Sequence, residues 1–176
     1  MAAVEMQVEQ VTLDPVLGAP VVILREKGGH RSIPIWVGQL EAGAIVSELR
    51  RVPMTRPSSH DLMKELVGRL NGSISHVTVT DLRNGTFFAV VALSTPEGVV
   101  DVDSRPSDAI ALALRARSPI FVEPDVMERA WCLGQAHGLG VCGDDTASPV
   151  LLEVVREGRD GVLEGLTDED FGKWKM

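Results

Sequence analysis

The sequence predicts an α+β fold: a single domain with a mixed, largely antiparallel β-sheet, packed helices and a candidate internal duplication. Three observations carry this reading. Segments with alternating apolar residues come in pairs joined by turn residues, at Lys27-Gly-Gly-His30 and Asn84-Gly85, which marks antiparallel hairpins. Between the hairpins, residues 40–51 and 58–70 carry helical spacing. Residues 101–122 then read as a strand, a polar corner, an apolar helix and a second strand. The duplication rests on Ala44-Ile-Val-Ser-Glu-Leu-Arg50 and Ala109-Ile-Ala-Leu-Ala-Leu-Arg115, which share Ala, Ile, Leu and Arg at matching positions.

The elements follow in order. Residues 3–12 alternate, with Val4, Met6 and Val8 on one face of a strand. Asp14-Pro15 and Gly18 form a loop. Pro20–Arg25 and Ser32–Val37 are strands around the Gly28-Gly29 turn, and Pro34 inside the later one points to an edge or a bulge. Gly38 breaks the strand, and the helix over 40–51 sets Leu40, Ala44, Ile45 and Glu48 near one stripe. Pro53 and Pro57 bracket a loop. Ser58 caps the next helix, Asp61 stands in its first turn, and Leu62, Leu66 and Leu70 form its apolar stripe. Asn71-Gly72 closes it. Strands follow at 74–82, 86–93 and 99–103.

The corner comes next. Val100 and Val102 point to one face of its strand, Asp101 and Asp103 to the other. Pro106 suits a first helical position, and Asp108 then meets the positive end of the helix dipole. Ala109 to Leu114 is apolar all round, so this helix is expected to be buried on most sides. Arg115 and Arg117 sit at its C-terminal end, Ser118-Pro119 ends it, and Ile120–Val122 is a strand. Residues 124–137 read as a helix. The domain is expected over residues 1–137, followed by a Gly/Asp-rich linker and acidic segment over 138–176.

With 44% hydrophobic and 24% charged residues, the 176-residue chain can build a core. Its net charge of −8 is uneven. Through Val122 there are 12 Lys+Arg against 13 Asp+Glu, and from Glu123 onward 5 against 12. The acidity therefore belongs to the last third, which suits a protein partner for that segment and gives nucleic-acid binding by counterion release little support. No signal peptide or membrane-length apolar run is read, so the expected location is cytoplasmic, with Cys132 and Cys142 as reduced thiols.

Four stretches occur together: Leu24-Arg-Glu-Lys-Gly-Gly-His-Arg-Ser-Ile-Pro-Ile-Trp-Val-Gly-Gln-Leu-Glu-Ala42, Arg56-Pro-Ser-Ser-His-Asp-Leu62, Thr80-Asp-Leu-Arg-Asn-Gly-Thr-Phe-Phe-Ala89 and Asp103-Ser-Arg-Pro-Ser-Asp-Ala-Ile-Ala-Leu-Ala113. In this order and spacing the chain closely resembles the bifunctional nuclease domain family over about residues 3–130. The resemblance implies an α+β domain and a nuclease acting on DNA and RNA. The chain departs from the pattern at Phe88, where a tyrosine is usual, and at His30, where an acid is common.

A nuclease needs an activated water and charge stabilisation at the phosphate, which carboxylates holding Mg²⁺ or Mn²⁺ can supply. A histidine or acid can act as base, and arginine can clamp the phosphate. The candidates are His60, Asp61, Asp81, Arg105 and Asp108 for catalysis, Arg56 and Arg105 for substrate, and Asp101, Asp103 and Asp108 for a divalent metal; Glu41 is a further suitable acid. Each has a structural alternative. Asp61 and Asp108 are also ordinary first-turn acids, His60 a packing residue, Asp81 a support for the Asn84-Gly85 hairpin, and Asp101 and Asp103 the wet face of a strand. Arg56 and Arg105 can equally bridge to carboxylates, and Glu41 can be ion-paired. Cys132, His137 and Cys142 fit no zinc spacing, so buried free thiols are the better reading.

The expected function is metal-dependent hydrolysis of phosphodiester bonds in nucleic acid. The rival is a non-catalytic domain binding a ligand or protein at the same corner. A small sheet domain with edge strands is also suited to forming a homo-oligomer.

Overall fold

The computed structural model describes the backbone of residues 2–136 and side chains through residue 131. The expected linker and acidic segment over 138–176, and the question of Cys132, His137 and Cys142, lie outside the described residues. The expected α+β fold is found. Strands β1 (Val4–Leu13), β2 (Pro20–Glu26) and β3 (Ser32–Trp36) form an antiparallel meander, and helix α1 (Gln39–Leu49) follows. After helix α2 (Ser59–Arg69), strands β4 (Ser73–Arg83), β5 (Thr86–Thr95) and β6 (Gly98–Ser104) form a second meander, followed by helix α3 (Pro106–Ala116). Strand β7 (Ile120–Val122) and helix α4 (Pro124–Ala136) complete the described chain.

All seven strands join one sheet in the order β3-β2-β1-β7-β4-β5-β6. β7 is three residues long and lies at the centre. It pairs antiparallel with β1 and parallel with β4, which makes the sheet mixed. The two meanders thus extend in opposite directions from β7, and each is followed by a helix. This is a topological repeat. The sequence echo does not follow its register: the echo places Ala44 against Ala109, an offset of 65, whereas the helix starts, Gln39 and Pro106, are offset by 67.

Turn chemistry behaves as the residues dictate. Gly28 has φ +79°, and Asn84 and Gly85 have φ 50° and 77°, the left-handed pair that a two-residue hairpin requires. Pro34 does lie on an edge strand, β3, opposite Ile23. The main core lies on one face of the sheet. Ile45 of α1, Ala109, Ile110, Ala111 and Ala113 of α3, and Val126, Met127 and Ala130 of α4 pack there against strand residues such as Val22, Leu24, Ile35, Val77, Val79 and Ala89. Burying these side chains supplies the main stabilisation, about 1.5–3 kcal/mol for each larger aliphatic group. Helix α3 is buried as expected, with seven of its eleven residues inaccessible.

Two amphipathic readings need correction. In α1 the buried residues are Ala42, Ile45 and Val46, while Leu40 is 87% exposed. Leu40 is the second helical residue, and the helix has turned it away from the sheet. In α2 no residue is buried: Leu62, Leu66 and Leu70 are more than half exposed. That stripe is apolar, but it faces away from the core.

Candidate functional site

Helices α1 and α3 start in the same way and end up side by side. Each has an extended N-cap, Gly38 and Arg105, and each carries an acid at its third helical position, Glu41 and Asp108. Arg105 joins the two. Its Nε donates to Asp108 Oδ2 at 2.7 Å and its Nη1 donates to Glu41 Oε1 at 2.9 Å. Glu41 folds back over its own N-cap, filling the space that a Cβ on Gly38 would need. On the other side of Asp108, Oδ1 lies 3.1 Å from His60 Nε2.

His60 comes from α2, whose start is fixed by a capping box. Ser58 Oγ accepts from the Asp61 amide, and the Asp61 carboxylate accepts from the Ser58 amide and hydroxyl. The second Asp61 oxygen accepts from Arg115 Nε at 2.9 Å, and Lys64 donates to the Arg115 carbonyl at 2.8 Å. These polar ties lock α2 to α3 and set His60 against Asp108. Burial pushes the Asp108 pKa up, but the hydrogen bonds and charges of Arg105 and His60 outweigh it and hold the carboxyl below its ordinary value. Asp108 is therefore an anion at neutral pH. It holds His60 by one ring nitrogen, and His60 Nδ1 has no hydrogen-bond partner among the described residues. An imidazole oriented by a carboxylate through one nitrogen can take a proton at the other.

Arg105 and Asp108 also line a cleft of about 590 Å³. Met63 and Val67 of α2, Phe87, Phe88, Val91 and Leu93 of β5, and Val102 of β6 form most of its walls, with Asp103 and Ser104 at the rim beside Arg105. Phe88, half exposed, has the Arg83 guanidinium 5.4 Å from its ring centre.

The remaining candidates are placed as follows. Asp61 is engaged by its cap and by Arg115. Asp81 belongs to a separate cluster on β4, where it accepts from Arg83, the Leu82 amide and Arg129. Those bonds, from Arg83 first, hold its pKa down. Arg56 is exposed in the loop before α2. Asp101 and Asp103 stand on β6 opposite Ala92 and Val90, on the face away from Val100 and Val102 as expected. The expected convergence of Asp101, Asp103 and Asp108 is corrected. Among the described residues no group of three His, Cys, Asp or Glu gathers to hold a metal. The strand alternation that separates Asp101 and Asp103 from the core face also keeps them out of the His60–Asp108–Arg105–Glu41 chain.

One participant escapes the sequence reading, and the partner of another does. Glu41 is named there as a suitable acid that can be ion-paired, but its pairing with Arg105 needs the packing of α1 against α3. Arg115 was a helix-end cation, yet its side chain is 4% exposed and donates to Asp61 and to the Ala111 and Ala44 carbonyls. A charged residue within an all-apolar helix pattern was the available signal for it.

The family match coincides with these elements. The bifunctional nuclease domain matches residues 22–133, which runs from β2 into α4. The chain belongs to the bifunctional nuclease domain family. An uncharacterized protein of Mycobacterium tuberculosis is 35% identical over 167 residues, covering 95% of this chain and 97% of its own. Bifunctional nuclease 1 of Arabidopsis thaliana is 31% identical over 107 residues, covering 58% of this chain and 33% of its own. Bifunctional nuclease 1 of Oryza sativa subsp. japonica is 26% identical over 105 residues, with 58% and 32% covered. The chain thus spans about a third of the length of these plant relatives.

Proposed function

We propose that the chain hydrolyses phosphodiester bonds in nucleic acid, with His60 as general base and Arg105 as the phosphate-binding cation. The observation that carries this reading is the His60–Asp108–Arg105 array, whose Asp108 and Arg105 line an open cleft, in a chain of a nuclease-named family. Asp108 fixes the ring of His60 and leaves Nδ1 to accept a proton from the attacking water. Arg105 is 66% exposed, so its guanidinium can meet a phosphate while Glu41 and Asp108 hold its orientation.

A three-ligand metal cage does not fit the described residues. Asp108 lines the cleft, and one or two carboxylates are the number that Mg²⁺ takes when substrate phosphates supply other ligands. Metal dependence is therefore put to the assay.

Labelled single- and double-stranded DNA and RNA are incubated with the purified chain in Mg²⁺, Mn²⁺ or EDTA. Cleavage is expected, with His60→Ala reducing kcat about 10²- to 10⁴-fold. Asp108→Asn is expected to lower kcat, and Arg105→Ala to raise KM. An inactive parent chain beside an active control, or His60→Ala at parental rate, removes the proposal.

One observation favours the rival, a ligand-binding domain without chemistry: the cleft walls are mainly apolar side chains. An apolar ligand that binds with a negative heat-capacity change, in a chain that cleaves nothing, is the outcome expected of it.

A further inference from the structure

Arg115 is a buried cation to which the chemistry proposed above gives no part. Its side chain is 4% exposed, and the cleft is lined without it. It stands on α3, and its head group meets both neighbouring helices. Nε donates to Asp61 Oδ1 on α2 at 2.9 Å, and Nη2 donates to the Ala44 carbonyl on α1 at 3.2 Å. Nη1 turns back to the Ala111 carbonyl of α3 at 3.0 Å. The Arg115 carbonyl accepts from Lys64 of α2 at 2.8 Å. Three helices share one guanidinium, whose planar fork fixes the direction of each bond.

Burying a charge is costly, and an apolar side chain of similar volume is often no less stable in its place. What the charge supplies here is register. Helix α1 is anchored by buried Ala42, Ile45 and Val46. Helix α2 has no fully buried residue, so apolar packing does little to fix where it sits along α3. The Arg115–Asp61 bond does fix it. Asp61 is held at its other oxygen by the Ser58 amide at 2.8 Å, and it directly follows His60. Asp108 and Arg115 lie about two turns apart on one face of α3, so the helix itself sets the spacing between the tie and the His60 contact. A slip of α2 by a single residue, about 1.5 Å of rise, would take His60 Nε2 out of hydrogen-bond reach of Asp108.

We propose that Arg115 is a positioning residue: by binding Asp61 it sets α2 in the register that holds His60 on Asp108. Its part in catalysis rests on the nuclease reading above; its hold on His60 does not.

Arg115→Met fills the volume without the fork, and Arg115→Lys keeps the charge. The first measurement needs no substrate. The His60 Nε2–H donates to Asp108, so the neutral ring is one tautomer in the parent chain, and the nitrogen shifts of the ring in alkaline buffer report it. In Arg115→Met these shifts are expected to move toward the average of the two tautomers, and in Arg115→Lys part of the way. The second measurement sets activity against stability. Arg115→Met is expected to keep a denaturant midpoint near the parent's, because the Asp61 side chain it leaves behind is 37% exposed and no lone charge is buried. Its kcat is expected to fall about 10²-fold, with part recovered in Arg115→Lys. KM is expected to stay, because Arg105 keeps Asp108 and Glu41. A role in stability alone would lower midpoint and kcat together and leave the ring shifts parental; that outcome overturns the proposal. Where Arg115→Met does not fold, parental shifts in Arg115→Lys overturn it. A parent chain that cleaves nothing removes the nuclease reading, and the ring shifts still decide whether Arg115 holds His60.

Discussion

Asp61 and Asp108 link the corner to acid stability. Burial raises the pKa of Asp61, but the bonds from Ser58 and the Arg115 charge outweigh it and leave the carboxyl below its ordinary value. The balance at Asp108 has the same sign. An unfolded aspartate titrates near ~3.9, so between that value and the lower folded ones the unfolded chain binds more protons. Both groups therefore contribute stability that is fully present above the unfolded pKa and is lost as pH falls through the folded values. Urea unfolding at pH 7 and pH 3 should show the loss, and Asp61→Asn should reduce the difference between the two. An undiminished difference would place the acid sensitivity elsewhere. The acids and arginines of this network were visible in the sequence as types, and Asp108 as a first-turn residue. Their partners were not, because Arg105–Glu41 and Arg115–Asp61 join residues far apart in the chain.

Among the elements, α2 has an unusual balance. None of its residues is fully buried, so its capping box, its bonds to Arg115 and the His60–Asp108 contact hold it more than its apolar stripe does. Ser58→Ala removes half of the box and should weaken the helix by about 1 kcal/mol. Amide hydrogen exchange should then quicken in α2 and stay unchanged in the buried α3. Equal acceleration in both helices would mean that α2 does not open separately. The cap was legible as Ser58 three residues before Asp61, and the helix existed as expected. Its orientation was not legible. Leu62, Leu66 and Leu70 form a helical stripe whichever way the helix faces, and periodicity does not say what the stripe meets.

For the whole molecule, β7 holds the halves together. Ile120 is buried in the main cluster, and its strand is the one that pairs with both meanders. Ile120→Ala should cost about 2–5 kcal/mol through lost contact and a cavity. It should lower the denaturant midpoint of a single cooperative transition, because both halves share the core; separate transitions for the two halves would contradict a common core. The hairpins, the edge position of Pro34 and the helix starts could be read locally, since Gly, Asn and Pro act through their own backbones. Strand order could not. A three-residue strand late in the chain decides it, by inserting between two strands that carry no mark of awaiting it.

That insertion also orders events during synthesis. The first meander can close once Trp36 has left the ribosome, and the second once Ser104 has. The inner edges of β1 and β4 have no sheet partner until Ile120–Val122 emerges. The nascent chain therefore carries two bare strand edges through the making of α3, and one short tripeptide seals both.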